Sequence, residues 1–492
     1  MQAILNIPES ATQEVVQEIS QLFVLSEPLV YTAIEGILKQ HYPDVDSSVI
    51  KEIMRAVAET NAFLKHTSIG GSLSTSRRRE SFFAKQFPVV EPVEYGSKHS
   101  QTLVYIPLLQ MLQALLRKDE ILDKFLSASC SQLGDFCDHR DGSAFHNNAI
   151  LTDEEFRIAI GLYIDDFEVV NPLGTARKKH KLCDIYWTLD NLAPKYRSCL
   201  HAIQLAVLCK ATVIKEKGYR EVLQPLIKDL VSLEEHGVYI EKLGTSVKGT
   251  VLYVAADNLA AHSLAGFQES FSGHRVCRFC MASKEEIQDF EVSSGYFTLR
   301  NKEDHDRHVQ DVMQDSSKAR EYGVKRECIL TENLCYFHAV HGYPPDILHD
   351  FLEGIVPFEL ALCIKDLIKN KYITLEVLNC AIKEFPYSFS DKVNKPHEIP
   401  KTLASKVTIG GNGHENWCLI RLLPLMIGHL VPEGHETWEV LMVLKDILEM
   451  VVSPRFTEES LYLLENKVSE HRHLLLAAFP NCRLRPKHHY IQ

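Results

Sequence analysis

The chain has 492 residues, 45% of them hydrophobic and 24% charged, with a formal net charge of −12 at neutral pH. These are ordinary globular values, and the length suffices for two or three cores. The acidic balance excludes a molecule that clamps nucleic acid over its whole surface, while leaving room for a local basic groove.

Thirteen cysteines are too sparse for a disulfide framework, and the number is odd. The N-terminus MQAILNIPESATQEVV lacks a basic-then-apolar leader, and no stretch reads as a membrane span. The expectation is an intracellular protein with reduced thiols. Cys199, Cys209 and Cys363 lie in apolar runs and read as small core residues.

In chain order, residues 1–66 carry apolar residues at helical spacing, as in LFVLSEPLVYTAIEGILKQ. Residues 67–97 read as a linker: IGGSLSTSRRRESFF is rich in breakers and holds Arg77, Arg78 and Arg79, either a nuclear signal or phosphate-contacting arm, or a solvated loop. Residues 98–150 return to helix through TLVYIPLLQMLQALLRKDEILDKFL. The period then changes. FRIAIGLYIDDFEVV, LCDIYWTLDNL and CLHAIQLAVLCKATVI read as three strands, GYREVLQPLIKDLVSLEEHG as an amphipathic helix, and TVLYVAADN as a fourth strand. Strands joined by short turns pair antiparallel, and a strand after a helix returns parallel. That order predicts an α/β ribonuclease-H-like core with a mixed sheet over 151–283. A long helical insertion follows over 284–480, and 481–492 return to the core.

Asp165 and Asp166 sit late in the first strand, and Asp257 ends the fourth. A carboxylate in an apolar strand is costly unless something satisfies it. Side by side, such strands bring like charges together, and these then need a cation. Mg²⁺ or Mn²⁺ favours carboxylate oxygens, and a pair of such ions suits phosphodiester chemistry. The plainer reading is a set of solvated acids at exposed strand ends. Downstream, VCRFC supplies Cys277 and Cys280, half of a four-ligand zinc site. ARKKHK places Arg177, Lys178, Lys179 and Lys181 in a hairpin tip beside the first strand, which either touches a DNA backbone or is simply solvated.

LYIDDFEVVNPLG, NLAPKYRS, the stretch from Val251 through DNLAAHSLAGF to VCRFC, and GYPPDILHDFLEG together resemble the CACTA/EnSpm-like DDE transposases of animal genomes. The similarity spans roughly residues 98–492, and the RAG-type recombinase is a more distant relative. The resemblance implies nuclear cutting and joining of transposon DNA ends, with Mg²⁺ or Mn²⁺ held by two Asp and one Glu. Self-association is a further expectation, and the lack of an apolar span gives the expectation of no membrane partner. By position, the first two acids are Asp165 and Asp257. Relatives tend to have Gly where this chain has Asp166, which makes Asp166 the weaker ligand. The resemblance further implies a structural Zn²⁺ on Cys277, Cys280 and a His-x-x-x-His pair whose first member is His489. The second member and the catalytic Glu would then lie beyond Gln492. On that expectation the chain as written is catalytically incomplete, and the alternative is a non-enzymatic derivative that binds DNA or protein.

One substitute lies inside the chain. In PPDILHDFLEG, Asp346, His349, Asp350 and Glu353 share one face if the segment is α-helical. That face either binds metal, with Glu353 as third acid, or is the polar side of a helix whose acidic start needs no metal. His338 and His341, just upstream, are stand-in zinc ligands on the same reading.

Overall fold

The computed structural model describes residues 9–86, 89–96, 103–127, 134–152, 155–168, 181–269 and 273–492. The chain divides into two compact units, Met1–Glu91 and Pro92–Gln492.

The first unit is helical: α1 (Glu9–His41), α2 (Ser47–Thr60), α3 (Ala62–Thr67) and α4 (Ser76–Gln86). Asp46 starts α2 by accepting a hydrogen bond from the Ser48 amide, and Asn61 starts α3 by accepting one from Leu64. Two expectations are corrected here. The supposed linker contains α4, and Arg79 is buried rather than free. Its guanidinium donates to Gln13 Oε1 at 2.5 Å and to the Leu73 carbonyl at 3.2 Å. A phosphate-contacting arm therefore loses one of its three arginines to the fold. Second, the stretch Ala11–His41 of α1 is long and apolar enough, by length and composition alone, to cross a membrane. Interspersed Gln, Ser and Glu had hidden that length in the sequence. Pro28 lies within the same helix.

The second unit is built on a six-stranded mixed sheet. Its strands are β1 (Val93–Tyr95), β2 (Leu103–Tyr105), β3 (Ile158–Glu168), β4 (Lys181–Leu189), β5 (Gln204–Lys210) and β6 (Gly249–Ala256). Their spatial order is β1-β2-β5-β4-β3-β6. All neighbours are antiparallel except β3 and β6, which run parallel. LVY, read from sequence as part of a helix, is instead β2. It is too short to declare a period by itself, and its pairing with β5 fixes it as strand.

Helices α5 (Leu108–Leu116), α6 (Asp119–Leu126) and α7 (Ala211–Glu235) add the layers beside this sheet. The axis of α7 breaks at Gly218, whose φ is 78°. From α7, Leu223, Leu226, Ile227 and Leu230 enter one core with Ile158, Ile160, Leu162, Ile164, Ile185 and Trp187 of the central strands. Alternation along β3 assigns its even positions to that core and its odd positions to the opposite face. On the opposite face Ala159 joins Ile150, Leu151 and Leu252.

After β6 come α8 (Asn258–Ala265), α9 (Lys302–Gln314) and a π-helical segment, Leu348–Ile355, which runs into α10 (Val356–Lys369). Then follow α11 (Leu375–Glu384), α12 (Gly413–Ile427), α13 (Glu436–Val451), α14 (Glu458–Ala478) and α15 (Pro486–Tyr490). The helices from the π-helical segment onward have their own apolar core, with Leu360, Ile364, Leu419, Leu444 and Ile447 at its centre.

Candidate functional site

The strand register places the two key acids. Ile164 of β3 pairs with Ala256 of β6, so Asp165 and Asp257 follow at the same level, where the pairing of the two parallel strands ends. Asp165 shares the odd face with Tyr163, whose hydroxyl donates to Asp165 Oδ2 at 3.1 Å. Asp165 Oδ1 accepts from the Asp166 amide at 2.7 Å. Asp257 caps α8, its Oδ1 accepting from the Ala260 amide at 2.7 Å. Asp166 points to the other face, toward Cys183, whose thiol is pushed up by burial and then by the Asp166 charge. Asp165, Asp166 and Asp257 all line one cleft of about 710 Å³, together with Lys181, Lys215, Arg220 and Arg326. Arg177, Lys178 and Lys179 lie outside the described residues.

A further acid was not singled out in the sequence. Asp184 of β4 lies directly across the ladder from Asp165. It is 4% exposed and its Oδ1 has no hydrogen-bond partner. Burial raises its pKa, a hydrogen bond from Tyr186 opposes the rise, and the charges of Asp165 and Asp166 add to it. Its signal was the lone Asp in LCDIYW, legible only once strand register put it opposite Asp165.

The DILHDFLEG segment is π-wound, not α-helical, and this corrects the expectation of four residues on one face. His349 Nδ1 lies 2.5 Å from Asp346 Oδ2, and His349 Nε2 is 4.0 Å from Glu353 Oε2. The Asp346 hydrogen bond raises His349 most, and the charges of Glu353 and Asp257 act in the same direction. Tyr163, on the Asp165 face, is held up by burial, by Asp165 and by Asp346. Asp346, His349 and Glu353 form a local set outside the residues lining the cleft, and among the described residues no metal-ligating group of three includes Asp165, Asp257 or Glu353. Asp350 turns away into the interior, where it accepts from Asn258 Nδ2 at 2.6 Å. Glu353 Oε1 also accepts from the Gly413 amide at the start of α12, at 3.2 Å.

The second cluster is Cys277, Cys280 and His489, whose ligand atoms lie within 4.8 Å of one another. All three are nearly fully buried. Cys280 Sγ is 3.1 Å from His489 Nε2, and the buried Nδ1 of His489 has no hydrogen-bond partner. Burial opposes ionisation of Cys277, but hydrogen bonds from Cys280 and His489, with the His489 charge, hold this thiol well below its ordinary range. Cys280 is pushed up, first by its hydrogen bond to Cys277 and then by burial. Two cysteine sulfurs and an imidazole converging in a buried site are the donors a thiophilic cation takes, and Zn²⁺ fits them. The carboxylates lining the cleft, Asp165, Asp166 and Asp257, instead offer oxygen donors, the type a hard cation takes. His338 does not join the cysteines. Its Nε2 is 3.1 Å from Asp306 Oδ1 and its Nδ1 accepts from the Val340 amide. His341 is also outside the cluster.

The reason the C-terminal residues reach the cysteines is visible in α15. Lys487 donates to the His349 carbonyl at 2.5 Å, and His488 Nε2 lies 3.2 Å from Glu359 Oε1. His489 meets Cys280, and Tyr490 donates to the Val276 carbonyl. Four successive side chains thus anchor this turn, Lys487 to the π-helical segment, His488 to Glu359, and His489 and Tyr490 to the Cys277–Cys280 loop. Against known proteins, no family model matches the chain and no curated protein matches it.

Proposed function

We propose that this chain is a transposase-derived protein of the CACTA/EnSpm-like DDE type, whose second unit is a ribonuclease-H-like core that acts on DNA phosphodiesters. The observation that carries this reading is that Asp165 and Asp257 follow the last paired residues of two neighbouring parallel strands and line one cleft. The sheet supports it as well: β3, β4 and β5 run antiparallel in sequence, and β6 returns parallel beside β3.

In this reading Asp165 and Asp257 hold Mg²⁺ or Mn²⁺, which when bound supplies charge neutralisation for an attacking and a leaving oxygen. The chain's own residues do the rest. Tyr163 orients Asp165 by its hydroxyl. The α8 cap fixes Asp257. Lys181 and Lys215 line the cleft as candidate phosphate contacts, while Arg220 and Arg326 are paired with Glu332 and Glu269. Glu353, whose Oε2 lies 4.0 Å from His349 Nε2, is the candidate third acid within this chain. Cys277, Cys280 and His489 would hold a structural Zn²⁺.

The test is nicking of plasmid DNA by the purified protein in Mn²⁺. The expected result is nicking that Asp165→Ala and Asp257→Ala abolish and Asp166→Ala leaves within a few-fold. Comparable loss in Glu353→Ala identifies it as the third acid. DNA binding without nicking points instead to a non-enzymatic binding derivative, and the absence of both overturns the proposal. Nuclear localisation belongs to the same reading and is tested by imaging the tagged protein.

A further inference from the structure

The two clusters are joined by a buried polar chain. Arg278 lies between the two cysteines. Its Nη1 donates to Asn258 Oδ1 at 2.6 Å, its Nη2 to the Pro344 carbonyl at 2.9 Å, and its Nε to the Tyr343 carbonyl at 3.3 Å. Asn258 passes the contact on, its Nδ2 donating to Asp350 Oδ1 at 2.6 Å. Arg278, Asn258 and Asp350 are 1%, 4% and 2% exposed, so water does not compete for these bonds. Each residue adjoins one that bears on the cleft or the cysteines. Arg278 follows Cys277, Asn258 follows Asp257, and Asp350 follows His349.

A guanidinium this deeply buried is costly unless its donors are met. Here they are met by three segments at once: the first turn of α8, the backbone at 343–344, and, through Asn258, the π-helical segment. Moving the Cys277–Cys280 loop breaks these bonds unless Asp257 and His349 move with it. Tyr490 adds a second tie, because its hydroxyl donates to the Val276 carbonyl and its ring lies under Arg278, 5.6 Å from the guanidinium carbon.

We propose that Asn258 and Arg278 are positioning residues that couple the Cys277/Cys280/His489 centre to the acid cleft. A thiophilic cation bound at the first raises the affinity of the second for a hard divalent cation. This rests on the reading of Asp165 and Asp257 as a cation site. Coupling of this kind is reciprocal, so Mn²⁺ also tightens the hold on Zn²⁺.

The experiment is titration of the full chain with Mn²⁺, followed by electron paramagnetic resonance, with the protein zinc-free or loaded with one Zn²⁺. The expected result is at least tenfold tighter Mn²⁺ binding in the zinc-loaded protein. Asn258→Ala is expected to bind both ions and lose that dependence. Equal Mn²⁺ affinity with and without zinc overturns the coupling, as does an Asn258→Ala protein that keeps the full dependence.

Where the zinc-free chain or Asn258→Ala does not melt cooperatively, the comparison moves to zinc-loaded protein. There, Asn258→Asp places a second carboxylate against Asp350 and weakens Mn²⁺ binding at least tenfold. Adding Asp350→Asn restores a donor–acceptor pair and brings the affinity back within about threefold, at unchanged zinc content. Parent-like Mn²⁺ binding by Asn258→Asp, or no recovery in the pair, overturns the proposal. Asp165→Ala separates the two layers of the argument. If the parent shows no Mn²⁺ binding sensitive to this substitution, the cation-site reading has failed; if it does and zinc has no effect, only the coupling has failed.

Discussion

Glu359 has no exposed surface, yet it is a carboxylate on an apolar helix. Two imidazoles make this tolerable: His471 Nε2 is 2.7 Å from one oxygen and His488 Nε2 is 3.2 Å from the other. Burial alone would raise its pKa, but the charges and hydrogen bonds of the two histidines take it down to about 2. Removing one partner of such a buried set costs about 3–5 kcal/mol. Glu359→Ala is therefore expected to lose about that much in a urea unfolding experiment, and Glu359→Gln less, since it keeps hydrogen bonding. A depressed carboxylate stabilises the fold above its unfolded pKa. The Glu359 contribution is thus present above about pH 4.5 and is lost as pH falls from there toward 2.

His305 acts in an adjacent window. Burial, then the Arg300 charge, lowers it to about 3, and its Nδ1 has no hydrogen-bond partner. Below about pH 6.5 the unfolded chain takes up a proton that the folded chain refuses. Stability should then fall by up to about 1.4 kcal/mol for each pH unit between 6.5 and 3 from this residue. Thermal melts at pH 7.5, 6 and 5 check this. His305→Phe, which packs against Phe267 without titrating, should flatten the pH 6.5–5 segment of the curve.

At the scale of elements, the turn after α8 decides where the chain goes next. Gly266 ends that helix at φ 79°, a conformation that suits glycine. A Cβ there would lie 2.0 Å from the Arg326 carbonyl oxygen. Both Lys325 and Arg326 donate their amides to the Gly266 carbonyl, so two strands of chain pass in close contact. Gly266→Ala should cost more than about 2 kcal/mol from the left-handed backbone and the clash together. Calorimetry measures the loss, and a normal melt would show that this approach relaxes freely. The π-winding of Leu348–Ile355 is the other decisive element. It turns Asp350 inward to Asn258 while leaving His349 and Glu353 half-exposed, a division that a 3.6-residue period does not make.

For the molecule as a whole, the C-terminal turn closes the fold. Residues 276–280 and 487–490 are more than 200 positions apart in sequence yet share the Cys/His cluster and the Tyr490–Val276 bond. A cation on Cys277, Cys280 and His489 cross-links those segments and stabilises the native chain by mass action. One equivalent of Zn²⁺ should raise the melting temperature, and Cys280→Ala or His489→Ala should abolish the rise. An equal rise in those variants would place the zinc elsewhere.

The sequence by itself determined the α/β order. Alternating apolar runs marked β3, β4, β5 and β6, because a strand with one or two buried faces must write that period into its residues. It also determined the chemistry available at Asp165, Asp257 and the Cys-x-x-Cys, since donor type is carried by each side chain alone. Three-residue strands such as β2, and helix α4 inside a Gly/Ser-rich stretch, were not legible. They are too short to establish a period, and partners distant in the chain hold them. Only the tertiary structure decided which face each acid occupies, that Asp184 opposes Asp165, and that Asp350 belongs to the interior. It also decided that Arg278 and Asn258 connect the two clusters. These are questions of register, winding and long-range closure, which depend on how segments meet rather than on what any segment contains.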